Sequence, residues 1–80
     1  MKYAYVIRYK SSAIKNIKGR RYLAKPSYRY KNGHPYNVFP NAEIFLDYKR
    51  AVDHTLFSIE EVVKVKRMPS GNYKIVEVVN

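Results

Sequence analysis

The chain has 80 residues, no cysteine, and sixteen Lys and Arg against six Asp and Glu, for a formal net charge of +10. A domain of this length buries only about 60 to 65% of the surface its unfolded chain exposes, so one core is the limit and a deep, water-excluding active site has little to rest on. The lack of cysteine excludes a disulfide framework and a thiolate zinc site. Met1 to Lys10 alternates apolar and basic residues instead of forming a signal-peptide core, and no segment approaches the roughly 20 apolar residues of a membrane span. The expectation is one soluble, cytoplasmic domain over residues 1–80, with no membrane contact.

Lys2 to Lys10 alternates with period two, Tyr3, Tyr5, Ile7 and Tyr9 on one face and Ala4, Val6 and Arg8 on the other, which predicts a strand. The tyrosine face reads as core. Ser12 is placed to cap a short helical turn carrying Ile14 and Ile17, stopped by Gly19, and Lys15, Lys18, Arg20 and Arg21 crowd the loop around it. Tyr22 to Ala24 reads as a short strand ended by Pro26.

Asn32-Gly33 between tyrosine-rich segments predicts a two-residue hairpin, because a type I′ turn needs positive φ at both central positions. Alternation then turns Tyr28, Tyr30, Pro35, Asn37 and Phe39 toward the core and Arg29, Lys31, His34 and Tyr36 outward. From Asn41 the period changes. Ile44, Phe45, Tyr48, Ala51 and Val52 form the stripe of an amphipathic helix, with Asn41 or Asp47 as its N-cap, the latter leaving 42–46 as a strand.

Ser58-Ile59-Glu60-Glu61 matches a capping box, and a second helix is favoured there. The β-branched Val62, Val63 and Val65 support the alternative, a strand running into the turn Pro69-Ser70-Gly71-Asn72. Tyr73 to Val79 reads as a strand inside a sheet. The fold class expected is α+β: a small antiparallel or mixed sheet of three to five strands with one or two helices packed on one face.

The charge is unevenly placed. Residues 1–40 carry Lys2, Arg8, Lys10, Lys15, Lys18, Arg20, Arg21, Lys25, Arg29 and Lys31 with no Asp or Glu, whereas 41–80 carry six cations and six carboxylates. A field of one sign attracts polyanions. Seven of the nine tyrosines share this half, and single-strand binders combine backbone-following cations with rings on which bases stack. The nucleic-acid-binding residues expected are therefore Lys15, Lys18, Arg20, Arg21, Arg29, Lys31 and Tyr36, set away from carboxylates carried by the helices. The partner expected is DNA or RNA, with an acidic host protein as the alternative.

No catalytic or metal-binding set emerges, and no cofactor is implied. His34 and His54 lie in different segments without metal-ligand spacing. Asp53-His54 has no nucleophile to activate, and Gly19, Gly33 and Gly71 are isolated. The reading is non-enzymatic.

Tyr5-Val6-Ile7, Tyr22-Leu23-Ala24-Lys25 after a basic loop, Arg50-Ala51-Val52 leading to Phe57-Ser58-Ile59-Glu60-Glu61, and the closing Lys74-Ile75-Val76-Glu77-Val78 cover about half the chain. In this order they resemble small accessory proteins encoded by phages and mobile elements of Gram-positive bacteria. The chain departs in having Val62 where such proteins often have alanine after the paired glutamates. The resemblance implies a host-cell cytoplasm and a role in nucleic-acid handling, host takeover or defence evasion. It carries no site residues onto this chain. The alternative function is a phage-type inhibitor that docks on an acidic surface or nucleic-acid groove of a host or defence protein, with Tyr36 as anchor.

Overall fold

The computed structural model describes residues 3–10, 20–29 and 35–79. Strands β1 (Tyr3–Tyr9), β2 (Tyr22–Leu23), β3 (Tyr36–Asn37), β4 (Glu60–Arg67) and β5 (Tyr73–Val78) form one antiparallel sheet in the order β3-β2-β1-β4-β5, and among the described residues one α-helix, α1 (Tyr48–His54), precedes β4. The architecture is α+β.

The central pair is β1 with β4, matched from Tyr3 opposite Lys66 to Tyr9 opposite Glu60. Opposed residues share a face, so Ala4, Val6 and Arg8 stand with Val65, Val63 and Glu61, while Tyr3, Tyr5, Ile7 and Tyr9 stand with Lys66, Lys64, Val62 and Glu60. Both faces are partly buried. On the first, Ala4, Val6, Val63 and Val65 cluster with Tyr22 and Ala42, backed by Phe39 and Ile44. On the second, Ile7 and Val62 cluster with Phe45 and Ala51. Burying both faces explains the β-branched run in β4. The β1 tyrosine face is core at Ile7, with Tyr5 packed against that cluster, and only its Tyr3 end departs from the expectation, at 43% exposed.

The favoured second helix is replaced by β4. Val62, Val63 and Val65 are fully buried on alternating faces, and Glu61, the would-be capping-box partner, pairs with Arg8 instead. Tertiary pairing along β1 outweighs a local cap worth about 1 kcal/mol. The turn at Met68–Asn72 then closes the β4–β5 hairpin. The Met68 carbonyl accepts from Gly71 N–H at 2.9 Å, Met68 N–H donates to the Asn72 carbonyl at 2.7 Å, and Gly71 takes φ +92°, the left-handed residue this hairpin type demands.

Helix α1 begins at the later of the two expected caps, Asp47, whose carboxylate accepts from Lys49 N–H at 3.1 Å. Ile44 and Phe45 therefore lie outside it. Phe45 instead exchanges two backbone hydrogen bonds with Tyr5, both 2.8 Å. A further correction concerns β5, expected inside the sheet. It is the edge strand, paired with β4 only, and Ile75, Val76 and Val78 are exposed. A register shift at Lys64/Val65 opposite Val76 bulges this edge, a device that discourages unwanted strand pairing.

Candidate nucleic-acid interface

Of the seven residues expected to bind nucleic acid, Lys15, Lys18 and Lys31 lie outside the described residues, as do the helical turn expected between Ser12 and Gly19, Tyr30, His34 and the Asn32-Gly33 turn. Arg20 is exposed. Arg21 and Arg29 are engaged by the fold. Arg21 donates to the Tyr9 carbonyl through Nε and Nη2 at 3.1 and 3.0 Å and stands 4.0 Å from Glu61. Arg29 donates to the Ala24 carbonyl at 2.9 Å and forms an ion pair with Glu43.

Tyr36 faces inward, contrary to its expected place on an outer surface. Residues 26–28 form a 3-10 turn started by Pro26, not a strand, so β3 pairs with β2, placing Tyr36 opposite Leu23 and Asn37 opposite Tyr22. Tyr36 is only 5% exposed. Its ring lies against Tyr9, with centroids 4.6 Å apart, and its hydroxyl donates to Glu60. Glu60 is itself 3% exposed and also accepts from Leu56 N–H at 2.7 Å, so this buried carboxylate ties the segment before β4 to the far strand of the sheet. A ring held this way cannot stack on a base. Tyr28, assigned to the core by hairpin alternation, is 37% exposed for the same reason.

Arg8 is likewise taken up. Its Nε donates to Glu61 Oε2 at 2.7 Å and its Nη2 approaches the same oxygen to 2.5 Å. Burial opposes its charge, but hydrogen bonds and attraction from Glu61 and Tyr22 outweigh that and hold the guanidinium above its ordinary pKa. Lys10 donates to the Phe57 carbonyl at 2.8 Å. The carboxylates that meet the basic half arrive on β4 and the 42–46 segment, not on helices standing apart from it.

A second group of cations was not singled out by charge counting, because the second half is neutral in sum. On the β1 tyrosine face, Tyr3 faces Lys66 and Lys66 faces Lys74, making one row across three strands. Lys64 stands one row further on, opposite Tyr5 and Glu77, with its Nζ 4.3 Å from the Tyr3 ring centroid. Period-two alternation of Lys64 and Lys66 was the available signal; it becomes informative only once β4 is known to be a strand beside Tyr3.

Away from these rows, a cleft of about 420 Å³ lies between the 39–44 segment and the β4–β5 turn, lined by Phe39, Pro40, Ile44 and Tyr73 and, as the charged residue among the described lining, Lys25. Among the described residues, no three His, Cys, Asp or Glu gather as metal ligands, and no helix is long and apolar enough to cross a membrane. Compared with known proteins, the chain matches no family model, no curated protein and no solved structure.

Proposed function

We propose that this chain is a non-enzymatic nucleic-acid-binding protein that holds phosphate backbones by its basic surface. The observation that carries the reading is the placement of ten cations and no carboxylate in residues 1–40. Solubility alone does not require such an exclusion, whereas a polyanion rewards it. The exposure of Arg20 and Lys25 supports it from the same half. The setting that goes with this reading is a cytoplasm, that of a host cell if the chain is phage-encoded.

The test is titration of a short duplex at several salt concentrations. Log affinity should fall linearly with log salt at about −0.9 per phosphate contact. Replacing Lys15, Lys18 and Arg20 together by glutamine should flatten the slope, and leaves in place Arg21 and Arg29, which the fold engages. Absence of binding even at low salt sinks the reading.

The apolar edge of β5, with Ile75, Val76 and Val78 exposed, favours the second reading: an inhibitor docking on an acidic protein surface. Its anchors are then on β5 and not at Tyr36. Ile75→Thr should abolish capture of a stoichiometric protein from nuclease-treated lysate, while leaving duplex binding unchanged.

A further inference from the structure

We infer that the open end of the sheet face formed by Tyr3 of β1, Lys64 and Lys66 of β4 and Lys74 of β5 is a platform for single-stranded nucleic acid, on which Tyr3 stacks a base and the lysines hold neighbouring phosphates. The inference rests on the nucleic-acid reading and narrows it to a ligand form and a surface.

The placement comes from register. Tyr3, Lys66 and Lys74 are direct cross-strand neighbours, so successive side chains in that row start about 5 Å apart, and Lys64 lies two residues, about 7 Å, along β4 from Lys66 on the same face. The chain thus sets one ammonium group, that of Lys64, against the ring and carries Lys66 and Lys74 away from Tyr3 in a row across the sheet. Lys64 lies over the Tyr3 ring, and Tyr3 as a residue is nevertheless 43% exposed.

Cross-strand pairing energy does not favour this arrangement. Like charges directly opposite on a strand pair destabilise it, and Lys66 meets Lys74 in that way, while the carboxylate of this neighbourhood, Glu77, stands opposite Lys64. By contrast, Arg8 is matched by Glu61 and Arg29 by Glu43. A phosphate chain laid across the row supplies the missing anions.

The shape selects single strands. Reading a duplex requires an element that protrudes into a groove, whereas a broad sheet face bearing an aromatic ring accepts splayed bases on the ring and backbone on the cations. The stack is sequence-tolerant, because every base has a π-face.

The experiment is fluorescence anisotropy with the full chain, using a labelled oligouridine of about twelve nucleotides and a duplex of similar length as separate probes. Replacing Lys64, Lys66 and Lys74 together by glutamine should weaken oligouridine binding about tenfold or more and reduce the salt slope by about 2, near 0.7 per lost contact. Tyr3→Leu should weaken it about fivefold or more, Tyr3→Phe should bind as the wild type, and the duplex should respond less to Tyr3→Leu than the single strand does. Should the triple variant fail to fold by circular dichroism, Lys74→Gln at the exposed edge strand carries the test, with a loss of about threefold expected.

If the wild type binds and both the lysine variant and Tyr3→Leu bind equally well, the platform is wrong while the broader reading stands. Equal losses on both probes overturn the single-strand assignment. A wild type that binds neither probe at low salt overturns both readings.

Discussion

In the first half of the chain Arg8 reaches Glu61 and Arg29 reaches Glu43, whereas in the second half Lys66 faces Lys74 across two strands with no carboxylate in the row. Counted by halves, the first is purely basic and the second neutral. In space the order is nearly reversed for these groups, because the antiparallel pairing of β1 with β4 carries second-half acids onto first-half arginines and leaves second-half lysines beside Tyr3. Net charge by segment tells what the molecule attracts; strand register decides which charges remain to do the attracting.

The largest expected effect tests the tied side of this comparison. Tyr36→Ala removes a ring packed on Tyr9 and the hydroxyl that serves buried Glu60, and should cost about 3 to 5 kcal/mol, enough to unfold a domain of this size. Tyr36→Phe keeps the ring and leaves Glu60 one donor short, at about 1 to 3 kcal/mol. Urea unfolding midpoints measure both. A fully folded Tyr36→Ala variant with wild-type stability would return the residue to the surface and undo the contrast.

Next in size are the ion pairs. A double-mutant cycle of Arg8→Ala with Glu61→Ala should give a coupling of about 1 to 2 kcal/mol, since both side chains are largely buried and doubly connected. The same cycle on Arg29 and Glu43, each about a third exposed, should give about 0.5 to 1 kcal/mol and respond more to salt. Equal couplings and equal salt responses would mean that burial does not separate the two pairs.

The contrast also marks how far residues alone carry the reading. The β1 strand, the short β2 strand ended before Pro26, the Pro69 to Asn72 turn and the Asp47 cap all rest on local rules: alternation, proline's fixed φ, glycine's freedom and a side-chain acceptor. What local rules missed was partnership. Ser58 to Glu61 has the residues of a capping box, but β1 offers β4 a matched partner from Tyr3 to Tyr9, and Arg8 claims Glu61. Hairpin alternation placed Tyr36 outward by assuming that it pairs with residues 27–31; pairing with β2 turns it inward beside Glu60. A misassigned hairpin partner thus moved Tyr36 into the expected site, while reading the β1 tyrosine face as core and β4 as a helix kept Tyr3 and its lysine neighbours out of it.

The smallest expected effect bears on the open side and has an unusual sign. If Lys66 and Lys74 repel across the β4–β5 pair, Lys66→Gln should not weaken the fold but stabilise it, by about 0.2 to 1 kcal/mol at low salt, the range for a directly opposed like-charge pair. The gain has to come from relieved repulsion, because glutamine adds no apolar burial and lysine's stem packs at least as well. It should therefore fade as ions screen the pair: with a Debye length near 30 Å at 0.01 M and 3 Å at 1 M, wild type and variant converge in high salt. Lys64→Gln is the control, because Lys64 faces Glu77 and holds the Tyr3 ring, so its loss should be neutral or slightly destabilising. Thermal melts of the three proteins across that salt range measure the difference. Were Lys66→Gln destabilising at every salt concentration, Lys66 would belong with the tied charges of the first half, and the row it shares with Tyr3 and Lys74 would lose its claim to be held for a ligand.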